Sequence, residues 1–161
     1  MAALYQALMP TTAEYWRKLD RSLSSRQELR AWLDEALSWW EEHRRILPAM
    51  CEAAVIDPTL ATQQYEGLRR LTDELTGYFA KVRGTKRREA RLRIELLILQ
   101  LDQFCMKWIV QKTVDVDREL ALDVLTDLWC AALQIPVTPR SADELLTKNN
   151  RGTLHVNPKK R

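Results

Sequence analysis

Between Ser25 and Met50 apolar side chains recur every three or four residues: Leu29, Trp32, Leu33, Ala36, Trp40, Leu47 and Met50, with His43 in the same row. That spacing turns one face of a helix toward a core. Ser25 and Glu28 supply the Ser-x-x-Glu pattern that satisfies free amides at a helix start. Pro48 lacks the N–H a continuing helix uses, which predicts a kink or a restart there. Upstream, "LYQALMPTTAEYWRKLDRSL" reads as a short helical segment interrupted by Pro10. Asp57-Pro58 is the next start signal, an N-cap followed by a first-turn proline. Tyr65, Leu68, Thr72, Leu75 and Phe79 then share a face toward Gly84, in one helix or two pieces.

The next helix, predicted over roughly Lys86 to Lys112, is different in kind. From Glu95 to Val110 it reads "ELLILQLDQFCMKWIV", with eleven apolar residues in sixteen and one polar stripe at Gln100, Gln103, Lys107 and Gln111. Asp102 points away from that stripe, among Ile98, Leu99, Cys105 and Met106. A carboxylate on an apolar face is costly unless something pairs with it. Three accounts stand: a structural ion pair with an arginine of a neighbouring helix, a group that receives a donor or cation from a ligand, or exposure through a local irregularity of the helix. Asp117 caps a final helix ending near Leu133, whose polar stripe is read as Glu119, Asp123 and Thr126. Opposite lie Leu122, Val124, Leu125, Leu128, Trp129 and Leu133.

These patterns predict an all-α chain of about five to six helices in one domain over residues 1–135. Residues 136–161 are expected to form a polar, basic, disordered tail. A helix apolar around most of its circumference is buried on several sides. In a chain this small, a second copy most economically covers the last side. The expectation is a homodimer whose last two helices build an intermolecular four-helix bundle, with Leu97, Leu101, Trp108, Leu125, Leu128 and Trp129 at the interface.

Composition agrees with helices. Four glycines in 161 residues leave few tight turns, and 46% hydrophobic residues are enough for a core. Cys51, Cys105 and Cys130 are odd in number, widely spaced and set in apolar helical contexts, as reduced thiols of a cytoplasmic protein would be. The opening "MAALYQALMPTT" has no basic n-region, so no secretory signal is read there. Asp102 and Lys107 interrupt the most apolar run before it reaches membrane-spanning length. The net charge of +3 is unevenly spread: residues 81–93 hold seven Lys/Arg against Glu89, and the last fourteen residues hold five and no acid. The remainder carries 13 basic against 21 acidic residues, a net −8. A general nucleic-acid binder would instead line a continuous face with positive charge. The basic stretch at 81–93 is read as a solvated loop.

The order of a long helix with "WWEEHRRILPAM", a middle helix, a hydrophobic helix and a closing "DRELALDVLTDLWCAAL" resembles the C-terminal effector-binding and dimerisation domain of TetR-family transcriptional regulators. The resemblance covers roughly residues 15–135 and rests on helix order, length and apolar pattern. It implies the same four-helix dimer bundle. It also implies a pocket for a small apolar effector, lined here by Trp32, Trp40, Tyr65, Leu68, Thr72, Phe79 and Met106, with Asp102 as its polar contact. The family's N-terminal helix-turn-helix is not visible in this chain. Tyr5 and Leu8 resemble a remnant of the Tyr-x-x-Phe that ends it, with the phenylalanine replaced. Contact with DNA is therefore expected only through such a reader.

No enzyme signature is present. Neither His43 nor His155 has a glutamate three residues before it, as a di-metal bundle requires. The cysteines lack zinc-ligand spacing, and there is no glycine-rich phosphate loop or Gly-x-Ser-x-Gly elbow. No cofactor, metal or catalytic role is expected. His43 is read as a packed, hydrogen-bonded residue. Of the adjacent Trp39 and Trp40, about 100° apart on the helix, at least one is expected to edge off the core stripe.

Overall fold

Ser25 opens the longest amphipathic helix as its spacing predicts: its side chain accepts a hydrogen bond from the Glu28 amide at 3.2 Å. The computed structural model describes residues 14–135, apart from 83 and 85 and the side chains of Met50, Cys51 and Ala54. The predictions made for residues 1–13 and for the tail 136–161 lie outside the described residues. Residues 14–22 are helical (α1). They are followed by α2 (Arg26–His43), α3 (Leu47–Ile56), α4 (Pro58–Asp73), α5 (Thr76–Lys81), α6 (Lys86–Cys105) and α7 (Arg118–Leu133). The fold is all-α: every regular element among the described residues is a helix.

The breaks have local causes. Pro48 falls in the first turn of α3, so the chain restarts rather than kinks. Asp57 caps α4 by accepting from the Thr59 and Leu60 amides at 2.9 and 3.4 Å. The segment toward Gly84 is two pieces, divided at Glu74 and Leu75. Asp20 of α1 accepts from the Gly77 and Tyr78 amides, both at 2.8 Å, and so clamps the first turn of α5. Asp117 caps α7 by accepting from the Leu120 amide at 2.9 Å, and Gln134 ends it at φ 57. The left-handed residue at the end is a common helix stop.

The core joins α1, α2, α6 and α7. Leu19, Leu29, Leu33, Leu37, Ile94, Leu122 and Trp129 are sealed from solvent, with Trp32 and Trp40 also buried. Helices α2 and α7 run antiparallel, as their ion pairs show. Arg26 bonds Asp127 at 2.8 Å, Arg30 bonds Glu119 at 2.7 Å and Asp123 at 3.2 Å, and Arg118 reaches back to Asp34 at 2.7 Å and Glu41 at 3.0 Å.

The phase predicted for α7 needs correction. Thr126 is fully buried, its hydroxyl donating to the Leu122 carbonyl at 2.6 Å, whereas Val124 and Leu128 are exposed. A threonine can satisfy its hydroxyl within its own helix, so polarity alone misplaces it. The residues expected at a dimer interface take these places in the single chain. Leu97, Leu101, Leu125 and Trp129 are buried in the chain's own core, and Trp108 is partly buried with its indole N–H donating to the Val116 carbonyl at 2.9 Å. Of those six, Leu128 alone is exposed. The apolar residues that α6 does present to solvent are Leu92, Leu96 and Leu99.

Candidate functional site

Asp102 lies one turn before a change in helical geometry. Between Met106 and Val110 the helix widens into a π-turn, closed by the Gln111 amide on the Met106 carbonyl at 2.9 Å. Such turns are rare and recur at functional sites. Gln100, Gln103, Lys107 and Gln111 are all exposed, as their stripe predicts, while Asp102 is only partly so.

Among the described residues no Lys, Arg or His nitrogen lies within ion-pairing distance of Asp102. The structural ion pair with a neighbouring arginine is therefore not found there. Burial instead pushes the carboxyl up to about 7, and a hydrogen bond from the Trp40 side chain pulls partway back. Trp40 is buried on α2, and Trp39 beside it is only partly covered, meeting it edge-on at 6.4 Å. Trp39 thus takes the position off the stripe that adjacency requires. His43 is packed as expected: it stacks on Trp39 at 4.5 Å, with Nδ1 2.8 Å from the Trp39 carbonyl.

Two further groups feel the charge of Asp102. Burial raises Tyr15 well above its ordinary range, with Glu35, Cys105 and Asp102 adding to the effect. Burial likewise pushes the Cys105 thiol up, with Asp102 and Glu41 contributing. Tyr15 is fixed against Trp32: the rings stack at 4.6 Å, the Tyr15 hydroxyl donates to the Trp32 carbonyl at 3.2 Å, and the Trp32 indole donates to the Tyr15 carbonyl at 3.1 Å. Trp32, Trp40 and Cys105 belong to the buried core, with Tyr15 packed against it. Met106 packs partly buried against the same core.

The remaining predicted lining residues belong elsewhere. Tyr65 is 47% exposed and donates to Glu95 Oε2 at 3.0 Å. Glu95 precedes Asp102 by two helical turns, roughly 10 Å along α6. That hydrogen bond to Glu95 is also the main cause of Tyr65's raised pKa. Phe79 is buried beneath Arg87 and Arg91, whose guanidiniums sit 5.5 and 5.9 Å from its ring centre, farther still toward the start of α6. Thr72 is sealed, its hydroxyl donating to the Leu68 carbonyl at 2.9 Å, and Leu68 packs on the core. These four lie along α4 and α5, and Tyr65 and Phe79 meet α6 nearer its start than Asp102. The face of α4 also carries a cavity of about 250 Å³ lined by Glu66, Arg69, Arg70 and Asp73.

Sequence reasoning missed Tyr15 and Glu95 in these surroundings. Glu95 was visible as a second acid seven residues before Asp102 on the same helix flank. It is 4% exposed, and its Oε1 has no hydrogen-bond partner among the described residues. No group of three potential metal ligands occurs among the described residues, and none of their helices is long and apolar enough to cross a membrane. No family model, curated protein or solved structure matches this chain.

Proposed function

We propose that this chain is an effector-binding, dimerising regulatory domain of the TetR type it resembles. On this reading it holds a small, largely apolar ligand near Asp102 and pairs with a second copy through α6 and α7. The observation that carries the reading is a pair of exposed aliphatic rows. Leu92, Leu96 and Leu99 are 52, 55 and 43% exposed on α6, and Leu120, Val124 and Leu128 are 52, 50 and 48% exposed on α7. Each row keeps helical spacing, on a helix whose opposite face is already buried in the protomer. Large aliphatics in such rows are what an antiparallel bundle seam requires, and a two-fold axis would let one copy's rows cover the other's.

In this reading the ligand acts by population shift. It binds one arrangement of α1, α2 and α6 better than another, and the preference needs to be a few kcal/mol to change occupancy substantially. The dimer passes that choice on through the bundle. Control of DNA requires a helix-turn-helix reader outside the described residues. The role is binding rather than catalysis. The free, buried Cys105 and Cys130 fit a reducing cytoplasm.

A second reading has its own support. Because Tyr65 and Phe79 meet α6 away from Asp102, the chain also fits a helical module that docks a partner protein on the same rows. Light scattering after gel filtration, with native mass spectrometry, separates the two. The dimer reading expects twice the 18.8 kDa chain mass at micromolar concentration. It also expects a monomer of unchanged helicity when Leu96→Glu and Val124→Glu are combined. A wild-type monomer would sink the dimer and favour the docking module.

A further inference from the structure

The basic run at residues 81–93 is not the solvated loop that its composition alone reads. From Lys86 onward it forms the opening turns of α6, so its cations are set out on a helix. The fold then brings more of them from α4. Tyr65, Arg69 and Asp73 stand one turn apart on a flank of α4, and Glu95, Arg91 and Arg87 one turn apart on a flank of α6. Tyr65 bonds Glu95 at 3.0 Å and Asp73 bonds Arg91, so the two flanks meet in antiparallel order. Arg69 therefore falls between the two rungs. Arg87 lies one turn beyond Arg91, and both guanidiniums sit over Phe79 of α5, at 5.5 and 5.9 Å from its ring centre.

Residues 65–93 hold nine Lys/Arg against four Asp/Glu. Three of those acids already have cations: Asp73 has Arg91, Glu89 has Arg93, and Glu74 has Arg17 of α1 at 3.9 Å. Glu66 shares the walls of the α4 cavity with Arg69, Arg70 and Asp73. Arg69, Arg70, Lys81, Lys86, Arg87 and Arg88 are all exposed and have no ion pair among the described residues. The α2–α7 seam is the opposite case, with Arg26, Arg30 and Arg118 each bonded to acids. Like charges gathered on one edge repel, and an anion that covers them relieves that repulsion.

The spread of the patch selects the kind of anion. Arg69 and Arg87 are separated along the seam by on the order of 10 Å, more than a single phosphate spans. A polyanion with charges repeating along its length reaches both. Four of the six free cations are arginines, whose planar fork takes two oxygens of one phosphate. Backbone phosphates are met by an open row of cations and need no deep cleft.

We propose that this α4–α6 edge, with Arg69, Arg70, Arg87 and Arg88 as its main contacts, docks the phosphate backbone of duplex nucleic acid. Such contacts position the chain on a duplex without reading its sequence. The inference goes beyond the function proposed above and needs neither its effector nor its dimer.

The test is fluorescence anisotropy of a labelled DNA duplex of arbitrary sequence, titrated with the full chain from low to physiological salt. With about four phosphates neutralised, affinity should fall on the order of a hundredfold for a fourfold rise in salt. A second duplex of unrelated sequence should bind within about twofold of the first. Arg69→Gln, Arg70→Gln and Arg88→Gln combined should weaken low-salt binding at least about tenfold and flatten the logarithmic salt slope by about three. Arg44→Gln with Arg45→Gln, exposed cations after α2, should change neither. Arg88→Gln alone should flatten the slope by about one, and it decides the matter if the triple variant loses its helicity. No binding at low salt, an affinity indifferent to salt, or a triple variant that binds like the wild type overturns the proposal. Tighter retention on phosphatidylserine vesicles than on the duplex would overturn nucleic acid as the occupant.

Discussion

Two aspartates sit at helix seams of this chain and meet opposite surroundings. Asp123 of α7 faces α2, where Arg30 Nε is 3.2 Å away and Arg26 4.0 Å. Asp102 of α6 also faces α2, where it meets Trp40 and, among the described residues, no cation. The same helix therefore offers arginines along one flank and tryptophans along another. On the arginine flank, fixed partners hold α2 and α7 in one antiparallel register. On the tryptophan flank the acid is in its charged state only at a cost, because burial disfavours charge and the Trp40 side chain offsets only part of it. A seam of the first kind is finished as it stands. The second kind leaves a group able to respond to protons or to a cation.

The largest expected effect tests whether the finished seam is held by its ions at all. Trp129 is fully buried between α7 and α2, 5.4 Å from Trp32, and its indole N–H has no partner among the described residues. Trp129→Ala should therefore cost packing without breaking a polar contact, roughly 3 to 5 kcal/mol of unfolding free energy in urea. A loss under about 1 kcal/mol would mean that the arginine rows, not the apolar contact, hold α2 to α7.

Asp102 comes next, and its sign is opposite. Its folded carboxyl titrates near 7, against an ordinary 3.8, so the folded state holds the proton more tightly than the unfolded one. Stability is fully present below about pH 4, falls between about pH 4 and pH 7, and stays lowered above that. Asp102→Asn should match the wild type at pH 4 and exceed it at pH 8. The gain is on the order of 3 kcal/mol after discounting for partial solvent access. Thermal melts at the two pH values would check this. An asparagine variant that is less stable at pH 8 would show that the carboxylate has found a cation, and would erase the contrast with Asp123.

How much of this was legible beforehand follows the range of the interactions involved. Ser25, Asp57 and Asp117 cap their helices as expected because a cap is made within three residues. Pro48 restarted the chain for an equally local reason. The break at Glu74 and Leu75 was allowed for, but the clamp that Asp20 places on α5 joins residues 57 apart, which no spacing reveals. Asp102 stood out as an acid on an apolar face. That its partner would be an indole depended on how α2 meets α6. The burial of the residues expected at the dimer interface has a related cause: apolar periodicity marks that α6 and α7 have two greasy sides without saying which side the chain's own core takes. Leu97 and Leu101 went inward, and Leu92, Leu96 and Leu99 remained outside.

The smallest effect bears on Asp123 itself. Arg30 lies between Glu119 and Asp123, with its side chain 28% exposed against 74% and 21% for theirs. Partial exposure screens the pairs, so Arg30→Met should cost only about 1 kcal/mol, less in high salt than in low. Its value lies in what it does to Asp123. Arg26 remains at 4.0 Å, so Asp123 is not stripped of positive charge as Asp102 is. Between pH 5 and 8 the variant should therefore add little to the pH dependence that Asp102 already gives the wild type. A further steep loss in that range, beyond the wild type's, would show that Arg30 alone sustains the charge of Asp123. The two aspartates would then differ by a single arginine rather than by the design of the two flanks of α2.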